Sequence, residues 1–535
     1  MIQILDCTLR DGAYIVDSDF GSAAITGLIS KLDEAGIEII ECGWLKNNDH
    51  KEGTTFYHVP DDLRRYIQNK EKRAIYTVMI DWDRYDLSYL PEYDGRSIDA
   101  IRVVFPHDKF REGIAVGQEI LKKGYKVFFQ AANTLAYSDD ELVELADVMN
   151  SIEGKAEGLS IVDTFGAMYE EDLDRISGAL NAHLNCDIKL GFHSHNNQQL
   201  SYALTMFFVK KFKNSDRDII IDSSLCGMGR GAGNTTTELA AGYLNKQQLK
   251  NYDMDAILDA IDVYMIPFME KYKWGYSTPY FIAGMYCCHV NNIAYLTNNH
   301  RCSARDMRNI IDSMEPTDRR KYDYDLLESK YIENQDRKID DNESIDHLKS
   351  TFAGRKLLLI APGRSSVDEY NKIMKFINDN SPIVIAVNAL LPEYKYDYLF
   401  LTNKARYDYA KAAHKDQFDG TEKILLSNIK TEGKPDECLI NFNRAIKRGW
   451  EHFDNAVICC LRLLERLHVS EVYITGFDGF KHKYNESYAD ASLPTLNPGN
   501  KWDELNDEIK DMYSDFKANA KDMNIIFLTD SIYAQ

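Results

Sequence analysis

The chain is predicted to be an α/β protein with an N-terminal TIM (β/α)8 barrel, a helical extension and a C-terminal Rossmann-like open α/β domain. Three observations carry that prediction. Short β-branched runs alternate with amphipathic helical patterns from residue 1 to about 240, the rhythm of parallel strands joined by crossovers. Eight such units fit one barrel of about 250 residues. After residue 330 the chain turns polar and acidic, and the β/α rhythm then restarts.

The barrel strands are expected at Ile2–Leu5, Ile37–Ile40, Ala74–Ile80, Ala100–Phe105, Lys126–Gln130, Gly158–Val162, Ile188–Phe192 and Ile219–Ile221. Between them lie amphipathic segments such as Ala23–Ala35 and Ser138–Ile152, and residues 1–250 form the expected barrel domain. A doubly wound open sheet is the alternative that strand counting leaves open. Residues 251–330 read as a helical extension, with aromatics clustered at Tyr272–Tyr286. Residues 331–350 (YIENQDRKIDDNESIDHLKS) are polar with few apolar anchors and are expected as a linker. Residues 351–535 then supply strands at Lys356–Ile360, Ile383–Val387, Tyr398–Leu401, Lys423–Leu426 and Glu471–Ile474, as in an open sheet.

Bulk properties narrow the function. A chain of 535 residues exceeds what one hydrophobic core organises, so several domains are expected. The formal charge of −21 argues against nucleic acid, whose phosphates need clustered Lys and Arg. It leaves room for a nucleotide or sugar phosphate, which needs only a few local donors. Met1 leads directly into Ile-Gln-Ile-Leu-Asp without a basic n-region or apolar h-region, so no signal peptide is expected. No uninterrupted apolar run is long enough to span a membrane. The ten cysteines are scattered without a CxxC pair, which fits buried thiols in a reducing, cytoplasmic setting.

Polar clusters at three expected strand ends carry the chemistry. They are Asp6-Cys7-Thr8-Leu9-Arg10-Asp11-Gly12, then Gly191-Phe192-His193-Ser194-His195-Asn196-Asn197, then Ser223–Asn234 with its run Gly227-Met228-Gly229-Arg230-Gly231-Ala232-Gly233-Asn234. In a barrel all three open on the C-terminal face, where active sites are built. His193 and His195 are two apart on a strand and so share a face. Two imidazoles so placed suit one cation, with Asp11 supplying a hard oxygen. An isolated HxH is more often surface decoration or hydrogen-bonded core; the partners at two other strand ends favour the cation. The glycine run spaces as GxGxGxG rather than GxGxxG, which is weak ground for a dinucleotide loop.

These motifs, with Asp163–Asp172 (DTFGAMYEED), resemble the DRE-TIM metallolyase superfamily, and within it most of all 4-hydroxy-2-oxovalerate aldolase. Trp274-Gly275-Tyr276-Ser277-Thr278 is similar to the helical region after that aldolase's barrel. The resemblance implies a divalent metal ion (Mn, Mg, Co or Zn) held by Asp11, His193 and His195, with Asn234 a further or outer ligand. It implies Arg10 against the enolate oxygen; a plain ion pair of Arg10 with Asp11 or Glu41 is the alternative use. Where the aldolase carries an acid/base histidine, two residues past the RDG glycine, this chain has Tyr14, so Tyr14 or Tyr276 is expected to move the proton. Cys226 occupies the loop in which hydroxymethylglutaryl-CoA lyase places a catalytic cysteine, but the residues around it match the aldolase better.

In the C-terminal half, Leu357–Ile360 runs into the turn Ala361-Pro362-Gly363-Arg364-Ser365 and a helical pattern, a place suited to phosphate. Asn388, Asn403 and Asp478 follow other expected strands. Together with Gly363 and Ser365 they are candidate nucleotide-binding residues. The half faintly resembles bacterial sialyltransferase-like domains that bind nucleotide sugars, though the usual Gly-Pro-Ser turn is altered; an assembly domain without a ligand is the alternative.

The expected activity is therefore a metal-dependent carbon–carbon lyase of aldolase type, acting on a pyruvate-type 2-oxo acid and an aldehyde, sugar-derived for instance. The rivals are an acyl-CoA-dependent Claisen synthase of the same superfamily and a catalytically silent scaffold that assembles with a partner enzyme. A homo-oligomer is expected, with neither nucleic acid nor membrane as partner.

Overall fold

The computed structural model describes residues 1–67, 74–300, 302–431, 433–450, 455–481, 487–493 and 502–534. The chain divides into two compact units, Met1–Val290 with Arg319–Lys321, and Asn291–Asp318 with Tyr322–Gln535.

The first unit is a closed parallel barrel. Its strands are β1 (Ile2–Asp6), β2 (Ile39–Leu45), β3 (Ile75–Asp81), β4 (Ala100–Phe105), β5 (Lys126–Ala131), β6 (Gly158–Asp163), β7 (Lys189–Ser194) and β8 (Ile219–Ser223). Each pairs in parallel with the next, β8 pairs with β1, and the register Leu5↔Ile39 closes the ring. A two-residue strand, Phe56–Tyr57, adds to the outer edge of β2. The alternative of an open sheet is thereby excluded.

The outer ring of helices follows from their apolar stripes. They include α1 (Ser22–Glu34), α2 (Phe110–Lys122), α3 (Asp139–Asn150), α4 (Glu170–His183), α5 (Ser201–Phe212) and α6 (Thr237–Lys246). The start of α3 is fixed by a reciprocal cap in which Glu141 N donates to Ser138 Oγ and Ser138 N donates to the Glu141 carboxylate.

Two-residue periodicity stacks the barrel interior in layers. Leu5, Ile39, Ala100, Phe128 and Ile220 form a buried apolar floor. Two residues further along their strands, toward the C-terminal ends, stand Glu41, Arg102, Gln130 and Asp222, all buried. The floor is oil and the next storey is charge.

The second unit holds a parallel sheet of β9 (Leu357–Ile360), β10 (Ile383–Val387), β11 (Tyr398–Leu401), β12 (Glu422–Leu426), β13 (Glu437–Ile440), β14 (Glu471–Thr475) and β15 (Asn524–Phe527). The spatial order is β13-β12-β11-β10-β9-β14-β15. The chain thus builds outward from β9 in one direction, then returns to build on its other side. The edge strands β13 and β15 escaped the sequence reading because each is four residues long and carries polar residues.

Residues 331–350 are not an open tether. They include most of α7 (Asn342–Phe352), whose Leu348 and Phe352 are buried. Just before it, the Asp341 carboxylate accepts from Arg444 Nε and Nη2 at 2.6 and 2.8 Å. Such sparse anchors, seven and four residues apart, read as polar sequence yet fall on one helical face. Among the described residues no helix is long and apolar enough to cross a membrane.

Candidate active site

A single helical turn, Thr8–Asp11, follows β1 directly and turns Arg10 and Asp11 inward, both buried. Asp6 shapes this turn, its carboxylate accepting from Thr8 N at 2.9 Å and Thr237 Oγ1 at 2.6 Å. On β7 and just beyond it, His193 and His195 present their rings edge to face, with centroids 5.1 Å apart. His193 Nε2 and His195 Nδ1 each lie 3.9 Å from Asp11 Oδ2. One ligating atom from each of the three residues fits within 4.8 Å of the others.

The surroundings prepare these groups. His193 Nδ1 is 3.0 Å from Asp222 Oδ2, which fixes the ring and turns Nε2 toward Asp11. Burial holds His195 down at about 4, against the pull of Asp11, so the imidazole is neutral at physiological pH. Burial works against ionised Asp11, yet Arg10 and the two histidines hold its carboxyl well below the usual range. Asn234 Nδ2 donates to Asp11 Oδ2 at 2.6 Å.

Among the described residues, His195 Nδ1 and Asn234 Oδ1 are buried here without hydrogen-bond partners, as are Glu41 Oε1, Arg102 Nε and Asp222 Oδ1 in the charged storey. Burying such groups unsatisfied is costly. Space for a guest is kept by Gly229, where a Cβ would stand 2.4 Å from Asn234 Nδ2 and 3.0 Å from Asp11 Oδ2. Two imidazoles, a carboxylate and an amide oxygen are the donor set of a divalent cation with open positions. The residues fit the ion.

Arg10 is held twice, Nε donating to Glu41 Oε2 at 2.7 Å and Nη1 to Asp11 Oδ1 at 2.8 Å. Both ion pairs weighed from sequence therefore form, and they lock the guanidinium beside the cluster. Glu41 also accepts from Arg102 Nη1 at 2.8 Å, and Arg102 Nη2 donates to Gln130 and Asp222. A continuous chain thus runs Arg10–Glu41–Arg102–Asp222–His193. The sequence reading named Glu41 only as a partner of Arg10 and missed Arg102 and Asp222 as site residues. The signal was present: each is a charge set inside an apolar barrel strand, where an unpaired charge is prohibitively costly.

Tyr14 stands at the mouth, about half exposed, with the Arg230 guanidinium 4.8 Å from its ring centre and the Trp44 ring 6.3 Å away. Arg230 Nη2 also meets His289 Nε2 at 3.2 Å, and the two residues line a small cavity with Thr164, Phe165 and His195. Tyr276 is 58% exposed, whereas its neighbour Trp274 anchors the segment by donating to Cys226 O at 2.9 Å. Asp163 caps its own turn, accepting from Ala167 N and Met168 N. Asn197 stitches the loops together, donating to Phe165 O and accepting from Ala232 N. Cys226 holds a left-handed backbone (φ 54°), and burial pushes its thiol up to about 12.

With this geometry in view, the comparisons with known proteins are specific. The HMGL-like family model matches residues 108–264. A 4-hydroxy-2-oxovalerate aldolase of Geobacillus genomosp. 3 is 25% identical over 279 residues, half of this chain and 78% of that one. The barrel half is similar to the HMGL-like family and to this aldolase. An oxaloacetate decarboxylase of Mycobacterium tuberculosis is 26% identical over 272 residues, 48% of this chain and 74% of its own. Among solved structures, an N-terminal domain from Bacteroides vulgatus, provisionally described as an aldolase, has 25% identity and a TM-score of 0.47 over 55% of this chain and 95% of that one. Arg10 and Asp11, which carry the resemblance in sequence, are bonded to each other, and Asp11 lies beside the histidine pair.

In the second unit the structure separates the five residues singled out from sequence. Gly363, Asn388 and Asn403 line one cavity. Ser365 and Asp478 lie in a separate open depression, bonded to each other, with Ser365 N donating to Asp478 Oδ2 at 2.8 Å.

Proposed function

We propose that the barrel is a divalent-metal-dependent lyase of aldolase type, joining or parting a pyruvate-type 2-oxo acid and an aldehyde. The observation that carries this reading is the convergence of His193 Nε2 and His195 Nδ1 on Asp11, with His195 Nδ1 and Asn234 Oδ1 left without hydrogen-bond partners among the described residues. Asp11, His193 and His195 would hold the ion, and Asn234 would complete or orient the set. Once bound, such an ion acts as a Lewis acid toward the 2-oxo group.

In the cleavage direction the substrate's 4-hydroxyl loses its proton and the C3–C4 bond breaks. The electron pair passes into the 2-oxo carbonyl as an enolate, the aldehyde departs, and C3 takes up a proton. Arg10 serves the charge that develops on the enolate oxygen. Its guanidinium is already oriented by Glu41 and Asp11, so little reorganisation accompanies the reaction.

Tyr14 is the group for the hydroxyl proton. Burial of part of its ring raises the phenol above the ordinary tyrosine value, while Arg230 and Arg10 oppose the rise. It therefore acts best as a donor, protonating the alkoxide in the addition direction and recovering its proton from solvent at the mouth. The test is exchange of pyruvate methyl protons into D2O, followed by addition to short aldehydes. Loss of exchange in metal-stripped protein and its return with Mn²⁺, Mg²⁺, Co²⁺ or Zn²⁺ support the reading. A chain that consumes acetyl-CoA instead is a Claisen synthase.

A further inference from the structure

We infer that His347, Glu422 and Cys438 form a second metal site, for a zinc-type ion, at the amino-terminal edge of the second unit's sheet. Among the described residues they are the one group besides Asp11, His193 and His195 whose ligating atoms all lie within 4.8 Å of one another. Each comes from a different element: His347 from α7, Glu422 from the start of β12 and Cys438 from β13. His347 is 75 residues and Cys438 16 residues from Glu422, so only the fold brings them together. The parallel ladder sets Ile424 opposite Cys438, and Glu422 stands two residues before Ile424. Two-residue periodicity therefore puts both strand ligands on the sheet face that α7 covers.

The three ligands are spaced as they are around an ion. His347 Nε2 lies 3.0 Å from Glu422 Oε1, and Cys438 Sγ donates to the same oxygen at 3.3 Å. In a tetrahedral zinc site, bonds of about 2.0–2.3 Å hold ligand atoms roughly 3.3–3.7 Å apart, so small shifts admit the ion. A thiolate sulfur selects a borderline-soft ion such as Zn²⁺ over Mg²⁺ or Ca²⁺. Cys438 is 7% exposed, whereas the His347 side chain is 48% exposed. The protein thus supplies three ligands from one side and leaves the fourth position to water. Burial and Glu422 push the Cys438 thiol up to about 12, so without an ion the sulfur keeps its proton. The proton passes to solvent as the sulfur–metal bond forms.

A plain surface pair accounts for less of this arrangement. An exposed His–Glu contact contributes little to stability and needs no buried thiol aimed at the same oxygen. The ion's role follows from what it joins. α7 has Leu348 and Phe352 as its buried apolar anchors, and Phe352 meets Tyr398 edge to face with ring centres 5.2 Å apart. Tyr398 pairs with Glu422 across β11 and β12. One ion bonded to α7, β12 and the edge strand β13 clamps this helix to the sheet.

Titration of the reduced, metal-stripped full chain with Co²⁺ tests the site, because a thiolate bound to Co²⁺ gives a near-ultraviolet charge-transfer band that nitrogen and oxygen ligands do not. The parent chain is expected to show the band, to lose it to added Zn²⁺ and to keep it in excess Mg²⁺. Cys438→Ser abolishes the band and leaves the remaining metal uptake at the parent value, so this site and the barrel site are scored separately. His347→Ala, at an exposed position on α7, weakens zinc by at least about tenfold without disturbing the buried anchors. The inference is overturned if the parent shows no band, if the band survives in Cys438→Ser, if His347→Ala binds zinc as the parent does, or if excess Mg²⁺ removes the band.

Discussion

Asp222 Oδ2 lies 3.0 Å from His193 Nδ1 and also accepts from Arg102 Nη2, so one carboxylate oxygen joins the barrel's charged storey to its candidate metal ligand. The consequence is testable. Asp222→Asn leaves the fold's shape intact but offers the histidine a neutral partner. Metal affinity is expected to fall by about 10- to 100-fold, the scale typical of losing a ligand's outer hydrogen bond. Titration of stripped protein with Mn²⁺ or Zn²⁺ measures it. Unchanged affinity would mean that Asp222 only neutralises Arg102.

Arg10→Lys keeps a positive charge but loses the planar fork that Glu41 and Asp11 hold. The turnover number is expected to drop on the order of 10²-fold with the metal content unchanged. A loss of metal together with activity would make Arg10 a structural partner of Asp11.

Tyr14→Phe removes a hydroxyl and nothing else from the mouth. Aldol addition is expected to slow by about 10²-fold or more, while exchange of pyruvate methyl protons is spared. Equal damage to both would place Tyr14 in enolisation. No damage to either makes it a packing partner for Arg230 and Trp44.

Cys226 supplies the pH test. Burial and the neighbouring Glu238 carboxylate push its thiol up to about 12, so its thiolate fraction is minute at pH 8 and grows about tenfold per pH unit until that value. Iodoacetamide labelling of the Cys226 peptide, followed by mass spectrometry, should rise steeply from pH 8 to pH 10. Cys226→Ser should retain turnover. Rapid labelling at pH 7 or loss of activity would restore a lyase-type catalytic cysteine.

How much was legible in the sequence follows from how local each signal is. Asp11, His193 and His195 stand in short motifs at strand ends, and same-face spacing on a strand is a local fact. The eight barrel strands were readable for the same reason, although β2 runs Ile39–Leu45 rather than Ile37–Ile40 because its ladder with β3 continues past Glu41. The Glu41–Arg102–Asp222 chain was not read, since its members lie 61 and 120 residues apart and meet only when the barrel closes. The turn at Pro362 read as a phosphate site because sequence shows free amides, whereas the fold spends them on Gly476 and Asp478.

The central claim is that Asp11, His193 and His195 hold a metal ion that makes a 2-oxo acid's enolate accessible. Proton NMR of pyruvate in D2O with the metal-loaded parent and with His193→Ala, metal content measured on both, tests it most directly. The account predicts methyl exchange in the parent, none above background in His193→Ala, and metal lost from the variant. Equal metal content in the two proteins, or exchange that persists in metal-free His193→Ala, would contradict it.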